Sequence, residues 1–258
     1  MDKKGISAEM MVVLLAFVIV AMILLAFSSR LKDLLIQDSD VETCRLSVLA
    51  QAQTKIAGKT IVPLECPRRL VKIFNDKAEI NGKRSKYQYK QLTNEQVNEI
   101  AAEELRLCWY MMAEGKRDVF EQSYFFSEGK YYQCIICSEI EFDKEVGTKS
   151  YEGLTDYLKS KKLPKMDISY HDYLIRSQQN LYLLWGIVPW TQYTPWGYGT
   201  TKRDSFKDKF ETNEKYLIYF LAHKPSWLVG LTGGYTSAYY IGLGNEEKLR
   251  EECAILIN

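Results

Sequence analysis

The sequence predicts an α+β protein in which an N-terminal transmembrane helix precedes a disulfide-stapled extracytoplasmic domain with a mainly antiparallel sheet. Three observations lead there. Met10 to Phe27 is an unbroken run of eighteen apolar residues, which as a helix reaches roughly 27 Å, close to the hydrocarbon thickness of a bilayer. All six cysteines, Cys44, Cys66, Cys108, Cys134, Cys137 and Cys253, lie beyond that run, an even number suited to disulfides in an oxidising exterior. A long helical pattern from Thr93 is followed by a β-prone run, Tyr131 to Phe142, and the two are expected to pack as the centre of the domain.

The anchor is introduced by Lys3-Lys4-Gly5 and followed by Arg30 and Lys32, so charge alone hardly orients it. The cysteines do, placing the N-terminus in the cytoplasm and the bulk of the chain outside. No small-x-small cleavage site follows the apolar core, which argues against an ordinary secretory signal. The helix can continue amphipathically through Leu31, Leu34, Leu35 and Ile36 as a stalk. The expected organisation is residues 1–36 as N-terminal segment and anchor, then 37–258 as one domain with a candidate sub-boundary near 145–165. Lys4-Gly5-Ile6-Ser7, followed by Glu9, resembles the class III signal peptides of archaeal pilins and pilin-like proteins. The resemblance implies cleavage after Gly5, with Ile6 the first residue retained and Glu9 neutralising a neighbouring N-terminus during assembly. A plain anchor preceded by two lysines is the competing reading.

Lys and Arg total 34 against 33 for Asp and Glu, and this balance argues against nucleic acid as a partner. Tyrosine is abundant, at 18, and clusters near tryptophan in patterns that suit strands and adhesive surfaces alike. No Asn-x-Ser/Thr acceptor occurs.

Along the chain, Asp38-Ser39-Asp40 reads as a polar break, and Val41 to Ile56 as a helix with Cys44, Val48, Leu49 and Ala52 on one face. Leu70–Phe74 and Ala78–Ile80 read as strands joined by an Asn75-Asp76 turn. The helix from Thr93 opens with a capping box to Gln96 and is expected to end at Gly115, burying Val97, Ile100, Ala101, Leu105, Cys108, Trp109 and Met112. Tyr151–Lys161 and Tyr170–Leu174 read as short helices; Leu181–Val188, Tyr216–Ala222 and Ala238–Leu243 as strands. Pro189–Thr201 and Lys202–Asn213 read as long loops. Glu246–Cys253 is expected to be helical and Ala254–Ile257 an edge strand.

Cys134 and Cys137, three apart on a strand, should point to opposite faces and so cannot readily bond one another. Two separate disulfides are expected, one on each side of the strand, with Cys108 a favoured partner for one sulfur. A four-thiolate zinc site from Cys44, Cys66, Cys134 and Cys137 is the alternative, though only one CxxC knuckle is present. Asp38, Asp40 and Glu42, at alternate positions, read as a solvated linker before a calcium site. Gly230-Leu231-Thr232-Gly233-Gly234 lacks the lysine of a phosphate-binding loop and reads as a turn. His171 and His223 are the only histidines, and no nucleophile elbow accompanies them. No catalytic residue, metal ligand or cofactor is assigned.

Trp190, Tyr193, Trp196 and Tyr198, stiffened by proline and glycine, form the densest aromatic cluster and the candidate binding surface for a protein or glycan. A lid folded over the sheet would use the same residues. Membrane lipid around residues 10–27 is the remaining expected partner, and a homo-oligomer stays open. Cys108-Trp109, Glu114-Gly115-Lys116, Cys134-x-x-Cys137-Ser138 and Asp167-Ile168-Ser169-Tyr170 together resemble an uncharacterised family of membrane-anchored archaeal proteins. Its motif has a glycine where Ala113 stands here, and it implies no activity. The expected function is a single-pass, membrane-anchored surface protein acting as a binding or structural module. The alternatives are a pilin-like subunit and a membrane-bound hydrolase.

Overall fold

A computed structural model of the chain describes residues 39–54, 62–117, 132–175, 184–185, 208–223, 238–244, 246, 249 and 253–257. The anchor at 10–27, the processing residues Lys4, Gly5, Ile6 and Glu9, the glycine-rich 230–234 segment, and Trp190, Tyr193, Trp196 and Tyr198 lie outside the described residues. The chain divides into two units, Met1–Glu42 and Thr43–Asn258. The second is an α+β fold on a mainly antiparallel sheet, crossed by three disulfides.

Helix α1 spans residues 39–53. Ser39 and Asp40, expected in a polar break, are its first turn, where a serine and an aspartate suit the unpaired N–H groups and positive dipole end. Asp40 and Glu42 therefore stand about 200° apart around a helix, which removes the alternate spacing that the calcium reading needed. Cys44, Ser47, Val48 and Gln51 are its buried residues in the second unit. The stripe is turned slightly from the expected one because Cys44 is bonded to Cys66 and Ser47 Oγ accepts the Glu65 N–H at 3.0 Å.

The strands are β1 Arg69–Ile73, β2 Lys77–Ile80, β3 Lys83–Gln88, β4 Tyr132–Phe142, β5 Ser150–Glu152, β6 Leu184–Trp185, β7 Lys209–Glu211, β8 Tyr216–His223, β9 Ala238–Gly244 and β10 Cys253–Ile257; the helices after α1 are α2 Asn94–Met111, α3 Leu154–Ser160 and α4 Tyr170–Ile175. The main sheet runs β3-β2-β1-β4-β8-β9-β6, with β10 also on β4, while β5 and β7 form a separate pair. Strand β4 organises it. One edge takes β10 along Tyr132–Ile135 and β1 along Ser138–Phe142, both parallel, and the other edge takes β8 antiparallel.

A bulge between Ile136 and Ser138 interrupts the β4–β8 register. Its consequence follows from side-chain alternation, since one extra residue flips the frame. Before it, Cys134 and Ile136 share a buried cluster with Leu217, Tyr219, Leu221, Leu249 and Cys253, on the side of the sheet away from α2. After it, Glu139 and Glu141 fall on that same side, where Glu139 meets Arg68 at 2.8 Å and Lys215 at 2.6 Å. An unbroken alternation would have turned both glutamates toward α2 and the core. The bulge thus converts β4 from an apolar to a charged outer face at mid-strand.

Helix α2 covers the other side, with Trp109 and Phe220 rings 5.9 Å apart. Its N-terminus has the expected capping box, Thr93 N–H donating to Gln96 Oε1 at 3.0 Å. The α-helix closes at Met111 rather than Gly115, because Ala113 (φ 50°), Glu114 (φ 56°) and Gly115 (φ 66°) turn left-handed in a following 3-10 turn. Ala113 is therefore a non-glycine residue in a glycine conformation. Ala113→Gly is expected to raise stability by up to about 1 kcal/mol, relief of that strain exceeding the added freedom of the unfolded chain; a urea midpoint unchanged or lowered would contradict it.

Two expectations at the edges of elements are corrected. Tyr151–Lys161 is not one helix: Tyr151 lies in β5, and Gly153 at φ 94° turns the chain before α3 begins at Leu154. Cys253 is the first residue of β10 rather than the end of a helix, with Glu246 and Leu249 helical before it. Gly242, on β9 opposite Tyr219, has no room for a side chain, since a Cβ there would sit 2.5–2.7 Å from the Tyr219 ring and hydroxyl. Gly242→Ala is expected to destabilise by about 1–3 kcal/mol through overpacking. In a Tyr219→Leu background the same change should cost markedly less, and equal costs would refute the clash.

Candidate functional site

The cysteine framework is the constellation that the structure assembles as a whole. Cys44 in α1 bonds Cys66 ahead of β1, Cys108 in α2 bonds Cys137, and Cys134 bonds Cys253 in β10, with Cα separations of 4.3, 5.4 and 5.7 Å. The opposite-face reading of Cys134 and Cys137 holds: one sulfur leaves β4 toward α2 and the other toward the β10 side. All six cysteines are buried and none is free. The four-thiolate zinc alternative has no ligands left, each sulfur being already covalently paired. Among the described residues no group of three or more His, Cys, Asp or Glu side chains is placed to hold a metal.

Around α2 lies a polar layer that the sequence reading did not find. Arg69, on the α2 side of β1, donates Nε and a terminal nitrogen to the two Glu104 oxygens, both at 3.0 Å, with only 4% and 1% of the two side chains exposed. Glu104 stands four residues after Ile100 and four before Cys108, so it occupies the apolar stripe. A carboxylate in that position was the readable signal; its partner, thirty-five residues away, was not. Next to it, Glu103 accepts two hydrogen bonds from Arg106 at 2.8 and 2.9 Å and one from the Tyr170 hydroxyl at 3.2 Å, with Lys86 Nζ at 3.7 Å.

Burial alone would raise the Glu103 carboxyl, but the hydrogen bonds and charge of Arg106, with help from Lys86 and Tyr170, hold it below the usual carboxylate range. Tyr87, whose buried hydroxyl has no hydrogen-bond partner among the described residues, is pushed upward by burial and by the Glu103 and Glu104 charges. Burial likewise raises Tyr157 and Tyr216, each to about 12, and Tyr170, which also faces Glu103. These phenols ionise later in the folded state than in the unfolded chain, so their contribution is fully present below about pH 10 and is lost as pH rises toward 12. Glu103 acts oppositely: its contribution is present above about pH 4.3 and disappears as pH falls through its lowered value. The urea midpoint is accordingly expected to fall between pH 9 and pH 11, with part of the tyrosinate absorbance held back until far-ultraviolet ellipticity is lost. Free ionisation of all tyrosines in a folded chain would contradict this.

The hydrolase alternative gains little from the geometry of His171. Its Nδ1 lies 3.4 Å from Asp172 Oδ1, while Ser169 Oγ accepts the Asp172 N–H at 2.9 Å at the start of α4. The His223 side chain is outside the described residues. Among the described residues no helix is long and apolar enough to cross a membrane.

Fold and site together define an α+β domain whose central strand is covalently fastened on both faces and whose covering helix is tied to the sheet by a buried ion pair. No protein-family model, curated protein or solved structure matches the chain.

Proposed function

We propose that the chain is a single-pass membrane protein, anchored through residues 10–27, whose disulfide-stapled domain lies outside the cytoplasm and serves as a binding or structural module. The observation that carries this reading is the use of every cysteine, all C-terminal to the apolar run, in a buried disulfide. Such bridges persist in oxidising compartments and are rare in the cytosol. Trp190, Tyr193, Trp196 and Tyr198 are the proposed contact surface for a protein or glycan, and the middle motifs resemble those of membrane-anchored archaeal proteins of similar order. Protease added to intact cells expressing the full chain tests the location. Loss of the domain, with a membrane-embedded N-terminal fragment surviving carbonate extraction, is the expected result. Full protection in intact cells and cleavage only after lysis would overturn it.

A second reading, a pilin-like subunit assembling through its N-terminal helix, is favoured by Lys4-Gly5-Ile6-Ser7 and Glu9. A mature N-terminus at Ile6 supports it, and an intact Met1 removes it.

A further inference from the structure

We infer that correct assembly of this domain depends on a partner of defined chemistry, an exported thiol–disulfide exchange catalyst with a reactive thiolate, which acts at Cys134. The inference rests on the proposed export, which exposes the cysteines to oxidant in chain order. Along the chain, the first cysteine pairs with the second, the third with the fifth and the fourth with the sixth. Cys44–Cys66 is a consecutive pair and closes without competition from later cysteines. The other two bridges interlace.

Cys108 is offered two thiols three residues apart. Its loop to Cys134 is only three residues shorter than the native loop of 29 to Cys137, so closure entropy favours the wrong partner by about 1.2-fold. Cys134 must stay unpaired until Cys253 appears 119 residues later. In the folded domain, the two sulfurs are told apart by the opposite faces of β4, which become distinct once β4 is paired with β8. Strand β8 follows both cysteines in the chain, so the discriminating geometry arrives after the choice is offered. An oxidant meeting the emerging chain therefore makes Cys108–Cys134 about as often as Cys108–Cys137, and the wrong choice leaves Cys137 for Cys253. Once folded, all six sulfurs are buried, so correction has to precede closure.

Each oxidation takes two electrons and two protons from a thiol pair and reduces a disulfide-bearing oxidant to a dithiol. Correction is redox-neutral. The catalyst's thiolate attacks Cys134 in the wrong bridge, forming a mixed disulfide and releasing the Cys108 thiolate. Cys108 then attacks Cys137 in the Cys137–Cys253 bridge, releasing the Cys253 thiolate, and Cys253 attacks Cys134 in the mixed disulfide, freeing the catalyst.

The test is refolding of the reduced full chain from urea into detergent micelles, with diamide added at once or after folding, and disulfides mapped by mass spectrometry. Early oxidation is expected to give Cys108–Cys134 within about twofold of Cys108–Cys137. A purified CxxC disulfide isomerase should then restore the native map at least tenfold faster than a glutathione couple. Cys134→Ser with Cys253→Ser removes the competing thiol and should abolish dependence on the isomerase for the Cys108–Cys137 bridge, a readout that does not require native stability. A native map from early diamide alone, or conversion unaffected by the isomerase, would overturn the inference. Because the assay is independent of cellular location, its failure is distinct from failure of the export reading, which protease accessibility reports.

Discussion

Arg69→Met is expected to destabilise the domain by about 3–5 kcal/mol, because it strips the partner from a carboxylate that has almost no access to water. Both hydrogen bonds to Glu104 come from that guanidinium, at 3.0 Å, and truncation leaves the charge buried between β1 and α2. The cost is the stranded charge rather than the worth of the pair. Removing both partners, as Arg69→Met with Glu104→Leu, should therefore recover most of the loss, since apolar replacements of buried pairs are often neutral or better. Urea denaturation of the two variants decides it. A single-variant loss below about 1 kcal/mol, the range of exposed pairs, would show that water reaches Glu104.

The second large effect is expected from Cys134→Ser with Cys253→Ser. In the chain-entropy account, a bridge closing a separation of 119 residues contributes about 4–5 kcal/mol by restricting the unfolded chain. Overlap with the Cys108–Cys137 loop lowers the figure without changing its rank. The structural consequence is local: β10 is held to β4 by parallel pairing and this bridge, with Leu249 packed in the same cluster. Amide exchange should accelerate first in β10, while β1 and β2 stay protected. Uniform acceleration across the sheet would show that the bridge supports the domain globally instead.

The elements legible in the sequence were those with strong periodicity. Strand β4 and helix α2 announced themselves by a continuous β-prone run and by a capped stripe at helical spacing, and period-two alternation was enough to separate Cys134 from Cys137. Strand β3, with sequence KRSKYQ, escaped notice because only Ser85 and Tyr87 turn inward; β5 and β7 have three residues each, too few to carry a pattern. The bulge was hidden for a different reason. It exists only in the register between β4 and β8, and no single segment encodes a register. The same holds for Arg69–Glu104, where one partner was visible as a charge in an apolar stripe and the other required the fold. The pairing of Cys134 with Cys253 likewise depended on β10 joining β4, which the expected edge strand did not specify.

The central claim is an exported domain fastened by three bridges, two of which interlace. Its most direct test is a non-reducing peptide map of the full chain purified from membranes and alkylated at lysis. Peptides joined as Cys44–Cys66, Cys108–Cys137 and Cys134–Cys253, with no alkylated cysteine, are the predicted result. Alkylation at all six positions would contradict both the framework and the oxidising location.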